Sequence, residues 1–334
     1  MPGKLIVDEI EDSGGNSVIG RKNYIINGNF DIWQRGTSLT GQTASNFLAD
    51  RWEAIPSGAT YSYQQGTFTV GQTDVPNNPK YFANYTITGA DDAFRFQQAI
   101  EDVNTLAGET ITISFYAKYT TNAPTNFLTV VSQNFGSGGS TEVSTTFASG
   151  QTLTTSWQKF TVTGTLPSIS GKTVGTSSYV HIKPFYNTNN EIFDVQIAQV
   201  QVEKGSVATD FEILSLQETK ALCERFFQIY IEGTQEIMTG AMYNSTTLLG
   251  TAHFPMMRGN PTVVVTTGTA YYRFWRNGGG DDFSEFNSIG SKSPHTMRLQ
   301  NSTGLSGTAG HGGTVTGYNA NAKITLDAEL WYKM

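Results

Sequence analysis

The stretch NYIINGNFDIWQRGTSLT (Asn23–Thr40) decides how the rest of the chain is read. It gathers asparagines, a glycine, an acid, a tryptophan and an arginine, the make-up of a polar reactive cluster or of the start of a sheet. Apolar Ile25, Phe30 and Trp33 recur among the polar residues. Asn27 and Gly28 form a turn pair, because both residue types tolerate positive φ. We read the stretch as the first strand of a β-sandwich, with Ile25, Phe30 and Trp33 facing the core.

The composition around it agrees. Of 334 residues, 38% are hydrophobic and only 15% charged, so Thr, Ser, Asn, Gln and Gly must cover most of the surface. That suits β-rich proteins working outside a cell or in a virus particle. The net charge is −7 and Lys and Arg form no run, so the footprint of a nucleic-acid binder is absent. The same charge disfavours an anionic lipid surface. No apolar run reaches membrane-spanning length, so no membrane insertion is expected. The one cysteine, Cys223, precludes an internal disulfide framework and reads as a small buried hydrophobe. The first residues lack the apolar centre of a secretory signal. An outdoor surface without an export signal fits assembly in a host cytoplasm and release by lysis, as for virion components.

Four segments follow from the pattern. Residues 1–22 read as an N-terminal arm whose Leu5, Ile6, Val7 and Ile10 have too little chain to bury them and so dock elsewhere. Residues 23–213 are short strands between Gly/Asn/Pro turns, the signature of a sandwich or jelly roll. Strands are expected at 59–70, 80–88, 93–100, 109–119, 127–135, 156–166, 179–187 and 193–203. Residues 214–232 read as a linking helix opened by a Ser215/Glu218 capping box. Its stripe of Leu222, Phe226 and Ile229 would pack between domains or about a symmetry axis. Residues 233–334 form a second β domain, with strands expected at 236–255, 261–268, 270–277, 293–302 and 322–334. The glycine-rich runs at 276–282 and 302–317 read as turns or exposed tips. The class is therefore all-β: a jelly-roll sandwich, a short linking helix and a C-terminal β domain.

Catalytic signatures are scarce. His181, His253, His295 and His311 stand far apart, with none of the spacings of a zinc site. There is no nucleophile elbow and no phosphate-cradling loop. The doublets Asp91/Asp92, Glu101/Asp102 and Asp281/Asp282 point to opposite faces if extended, so neither doublet member can share a cleft with its neighbour. Binding fits better, since sugars stack on aromatic faces while amides and charged groups bind their hydroxyls. Tyr61 and Tyr63 share one strand face, and Tyr116 and Tyr119 flank Lys118, giving a candidate glycan face.

Five phrases occur in order: NYIINGNFDIW at 23–33, ADRW at 49–52, TITISFYAKY at 110–119, SWQKFTVTGTL at 156–166 and FDVQIAQVQVEKGSVATDFE at 193–212. Together they resemble the carbohydrate-binding jelly-roll modules of the family 4/9/22 type, in the version found in bacteriophage tail-fibre and receptor-binding proteins. The resemblance implies a structural calcium near the first and last strands, with Asn29, Asp31 and Asp194 as matching oxygen ligands. It implies a fibre or appendage of a virion, a homotrimer mounted on other virion proteins through the arm, that binds host surface polysaccharide without catalysis. A head decoration protein or head fibre, and a polysaccharide depolymerase, remain as alternatives.

Overall fold

The computed structural model describes residues 22–89 and 93–329. The arm at 1–22, all but Lys22, thus lies outside the described residues, as do Asp91 and Asp92. The chain divides between Thr219 and Lys220 into two compact units.

The first unit holds β1 (Ser38–Gln42), β2 (Asn46–Phe47), β3 (Glu53–Ser57), β4 (Thr60–Thr67), β5 (Tyr81–Gly89), β6 (Ala93–Glu101), β7 (Thr110–Lys118), β8 (Phe127–Asn134), β9 (Val143–Gln151), β10 (Gln158–Thr165), β11 (Tyr179–Asn187) and β12 (Phe193–Lys204). They build two six-stranded sheets, ordered β1-β4-β5-β12-β7-β10 and β2-β3-β6-β11-β8-β9. From β5 to β8 and again from β9 to β12, successive strands alternate between the sheets, which is the jelly-roll pattern. Alternation along each strand sends one set of residues inward, among them Tyr61, Tyr85, Phe94, Phe96, Ile113, Phe115, Ile182 and Val195.

The opening stretch is not a strand. Residues 22–37 are irregular and the first strand begins at Ser38. The reason is backbone geometry: Asn27 and Phe30 have φ of 58° and 57°, which no extended ladder allows. Asn27 instead closes a turn, accepting from the Phe30 N–H at 3.1 Å. Its side chain accepts from the Ile32 N–H at 3.0 Å and donates to the carbonyls of Ile32 at 2.9 Å and Asp50 at 3.1 Å. Gly28 cannot be replaced without movement, because a Cβ there would sit 2.1 Å from the Val200 carbonyl oxygen. The turn drops Phe30 beside Trp52, centroids 5.4 Å apart, and Trp52 stacks on Phe96 at 4.3 Å. The Trp52 indole N–H returns to the Asn27 carbonyl at 3.0 Å. Ile25 and Phe30 are buried as expected, Trp33 packs at the core's edge, and the stretch acts as a plug.

The helix α1 (Leu216–Glu224) begins with the expected capping box: Ser215 Oγ accepts from the Glu218 N–H at 3.2 Å, and the Glu218 carboxylate accepts from the Ser215 N–H at 3.0 Å. It is shorter than the 214–232 reading. Of the proposed stripe, Leu222 is helical, Phe226 lies in the turn after the helix, and Ile229 is in a strand. From Phe227 onward the alternation Phe227, Ile229, Ile231 wins over the helical spacing, because those residues pair along a neighbouring strand.

The second unit contains β13 (Phe227–Glu232), β14 (Glu236–Met242), β15 (Leu248–His253), β16 (Thr262–Val265), β17 (Tyr272–Arg276), β18 (Gly279–Phe283), β19 (Ser288–Gly290), β20 (Thr296–Asn301), β21 (Gly312–Gly317) and β22 (Lys323–Asp327). They form a three-stranded sheet, β13-β22-β16, and a seven-stranded one, β18-β17-β21-β14-β15-β20-β19, around a core that includes Met242, Tyr272, Phe274, Met297, Leu299 and Ile324. Both glycine-rich runs contain strands as well as tips. Gly313 on β21 is required by close approach, since a Cβ would lie 2.0 Å from the Trp275 carbonyl oxygen. Among the described residues no helix is long and apolar enough to cross a membrane.

Candidate functional site

Tyr61 and Tyr63 are fully buried and line the sandwich core, so they offer no ring to a glycan. Strand alternation put them on one face, and that face is the inner one. Burial pushes the Tyr61 hydroxyl up to about 12. Tyr116 lies on the opposite side of its sheet, half-buried in a small cluster with Phe68, Val75, Phe82 and Trp157. Tyr119 is half-buried against the main core, so the four tyrosines do not form one surface.

The three proposed calcium ligands are not brought together either. Asn29 donates to the Asp31 carboxylate at 3.0 Å, next to Gly28, whose carbonyl accepts from the Val200 N–H. Asp194 is on the same strand as Val200 but six residues away, roughly 20 Å along an extended backbone. Its carboxylate already accepts from the N–H groups of Thr120, Thr121 and Asn122 and from the Thr120 hydroxyl, at 2.6–2.9 Å. Burial pushes its pKa up, yet these bonds together outweigh it and hold the carboxyl below its usual range. Asp194 therefore pins the loop after β7. Among the described residues no group of His, Cys, Asp or Glu is arranged to hold a metal.

A different set of side chains converges on the outer face of the sheet β2-β3-β6-β11-β8-β9. Residues directly opposite each other in a ladder share a face. Glu53 opposes Gln97, Arg95 opposes Tyr186, Ala99 opposes His181, His181 opposes Ser132, and Ser132 opposes Ser144. The opposite side of the same strands carries Phe94, Phe96, Val131, Val180 and Ile182 in the core. An outer face is expected to be wet, yet Glu53, Gln97, Ser132, His181 and Lys183 are all buried. Buried polarity of this kind is the informative observation about a protein surface.

Hydrogen bonds tie the face together. Gln97 Nε2 donates to Glu53 at 3.0 Å and lies 3.1 Å from His181 Nε2. Lys183 donates to the Ser132 hydroxyl at 2.6 Å, which lies 2.7 Å from the Ser144 hydroxyl. The Tyr179 ring stands 4.6 Å from the His181 ring, and the Arg95 guanidinium lies 6.0 Å from the Tyr186 centroid. Burial drives the His181 pKa well below its ordinary value, helped by the charges of Lys183, Arg95 and Arg51, so the imidazole is neutral. Burial also lowers Lys183, against the pull of Glu142. Two atoms on this face are buried without a partner: Arg95 Nε, a donor, and Gln97 Oε1, an acceptor. A buried polar atom left unpaired costs about 1–3 kcal/mol. Donor and acceptor belong to residues two apart on one strand, roughly 7 Å along the backbone, and both atoms are covered by neighbouring side chains.

Sequence reading passed over this set. Its signal was the alternation in YVHIKPFYN (179–187), where His181 and Lys183 fall opposite Val180 and Ile182.

No family model matches the chain, and no curated protein matches it. Solved structures give distant likenesses. The CBM22-1 xylan-binding domain of Xyn10C from Paenibacillus barcinonensis is 12% identical, with 51% of this chain and 94% of that one covered and a TM-score of 0.33. The CBM22-1–GH10 modules of the endo-1,4-beta-D-xylanase 10B of Clostridium thermocellum are 12% identical over 55% of this chain and 29% of that one, TM-score 0.35. The enzymatically active domain of tailspike protein 4 from bacteriophage CBA120 is 14% identical over 55% of this chain and 21% of that one, TM-score 0.32. Likenesses at this level assign neither family nor ligand.

Proposed function

We propose that the chain is a non-catalytic glycan-binding protein of a phage particle, a fibre or appendage that attaches to host surface polysaccharide through the polar face of its first unit. The observation that carries the glycan reading is the pair of unpartnered buried atoms, Arg95 Nε and Gln97 Oε1, between the half-buried rings of Tyr179 and Tyr186. Neighbouring hydroxyls of one sugar ring supply an acceptor and a donor for the two once the covering side chains move, while aromatic faces cover its C–H faces. The phage setting and the homotrimer are supported by the resemblance that the sequence phrases quoted above carry, and the docking arm by the apolar Leu5, Ile6, Val7 and Ile10.

The non-catalytic reading is supported by the sequence, which carries no nucleophile elbow, no phosphate-cradling loop and no zinc-site spacing of histidines. Weak sites suffice if several copies act together, which is the benefit of a trimer.

The test is to incubate the full chain with host envelope polysaccharide and to measure both retention and new reducing ends. Retention without product release is expected. Reproducible release of reducing ends would replace attachment with a depolymerase. Native mass spectrometry addresses the assembly: a trimer is expected, and a monomer at micromolar concentration contradicts it.

A further inference from the structure

The outer side of β17 carries a second surface, made differently. Arg273 and Trp275 alternate with buried Tyr272 and Phe274, so they point away from the second unit's core. Trp275 is 44% exposed and Tyr318 41%, unusual for rings of this size. Their centroids are 6.4 Å apart and their planes meet at 76°, which makes a corner.

The corner is held in place. The Trp275 indole N–H donates to Thr316 Oγ1 at 3.2 Å, so the ring offers a partner only its π face. Gly280 lies opposite Trp275 on β18, and a Cβ there would come within 3.1 Å of the indole. The Arg273 guanidinium lies 3.4 Å from the Tyr318 centroid and 4.8 Å from that of Trp275. Asp282 grips it through Nε and through Nη2 at 2.9 Å. The charges cancel within the pair, and Asp282 uses only part of the five N–H donors of the guanidinium. The ladder neighbours of Arg273 and Trp275 on β21 are Thr316 and Thr314, small and hydroxylated. The ladder thus sets hydroxyls, not aliphatic side chains, beside Arg273 and Trp275.

We propose that the exposed face of Trp275 is a stacking site for a neutral pyranose ring of a polysaccharide, bordered by Tyr318, with Arg273 and Asp282 binding the ring's hydroxyls. The locally cancelled charge selects an uncharged ligand. Flat C–H faces and edge hydroxyls are what a pyranose presents to one π surface bordered by donors and acceptors. This site does not depend on the polar face of the first unit.

Native electrophoresis of the full chain through gels containing a neutral glucan, mannan or xylan tests it, in an Arg95→Met background that weakens the first face. At least one of these polymers should retard the chain, and added salt should not release it. Trp275→Ala should weaken retardation about tenfold, with Trp275→Phe intermediate because a ring remains. Unchanged thermal midpoints confirm that both variants fold. The proposal is overturned if Trp275→Ala is retarded as strongly as its parent. It is equally overturned if only charged polymers retard the chain, or if none of the neutral polymers does.

Discussion

The two surfaces contrast in how they handle polarity. On the first unit, Glu53, Gln97, His181 and Lys183 are sequestered on the outer side of a sheet, and tyrosines are only half-covered beside them. On the second unit, the aromatic rings of Trp275 and Tyr318 are the exposed groups, and the charged ones are paired off. The first arrangement is expensive to form and rigid once formed, because dry polar groups must find partners. The second adds little to stability and leaves its rings open to a ligand. A chain that uses both can combine a shaped site with a tolerant stacking platform.

The two tryptophans give the sharpest test of this contrast. Trp52 is fully buried between Phe30 and Phe96, directly beneath the polar face. Trp52→Ala should cost about 3–5 kcal/mol, measured by denaturant unfolding of the first unit. Similar stability for Trp52→Ala and wild type would show that the plug does not support the face.

The next largest effect is expected at Asp194. Its pKa is lowered, so its contribution is complete above the unfolded value of about 3.8 and lost as pH falls through the folded value. Asp194→Asn should destabilise by about 1–3 kcal/mol at neutral pH and flatten the acid limb of the unfolding curve. Full rescue of stability by calcium would instead restore a metal role for this residue.

His181 acts in a milder pH window. Its folded pKa is also depressed, so the stabilising difference is present above about pH 6.5 and declines on acidification below it, by up to about 1.4 kcal/mol per pH unit. His181→Gln should reduce the slope of thermal midpoint against pH between 6.5 and 5, as read by calorimetry. An unaltered slope would mean that the imidazole titrates freely.

The smallest stability change is predicted for Trp275→Ala, within about 0.5 kcal/mol, although it removes most of the proposed stacking. A loss comparable to that of Trp52→Ala would make Trp275 a structural residue.

Much of the fold could be read from period-two alternation. All eight strands expected in the first unit are present, and TITISFYAKY buries Ile111, Ile113, Phe115 and Ala117 on one side as its pattern implies. β9 was missed because VSTTFASGQ is mostly small and hydroxylated, with little contrast between faces. The opening stretch misled because its apolar residues reach the core through left-handed turns at Asn27 and Phe30. In the second unit β21 hid behind glycines that close packing requires, Gly313 and Gly317, and β18 behind Gly279, whose φ is 144°. The tyrosine site failed for one physical reason: alternation says that two faces differ, not which one is inside. The polar face escaped because its members come from β3, β6, β8 and β11, and only the ladder register aligns them.

The most direct test of the central claim is titration calorimetry of the full chain and of Arg95→Met with the polysaccharide that the wild type retains. Arg95→Met keeps the aliphatic stem beside Tyr186 and removes the unpartnered Nε. Saccharide binding at the polar face predicts at least tenfold weaker affinity in the variant, with an unchanged thermal midpoint. Equal affinity in both proteins would contradict it.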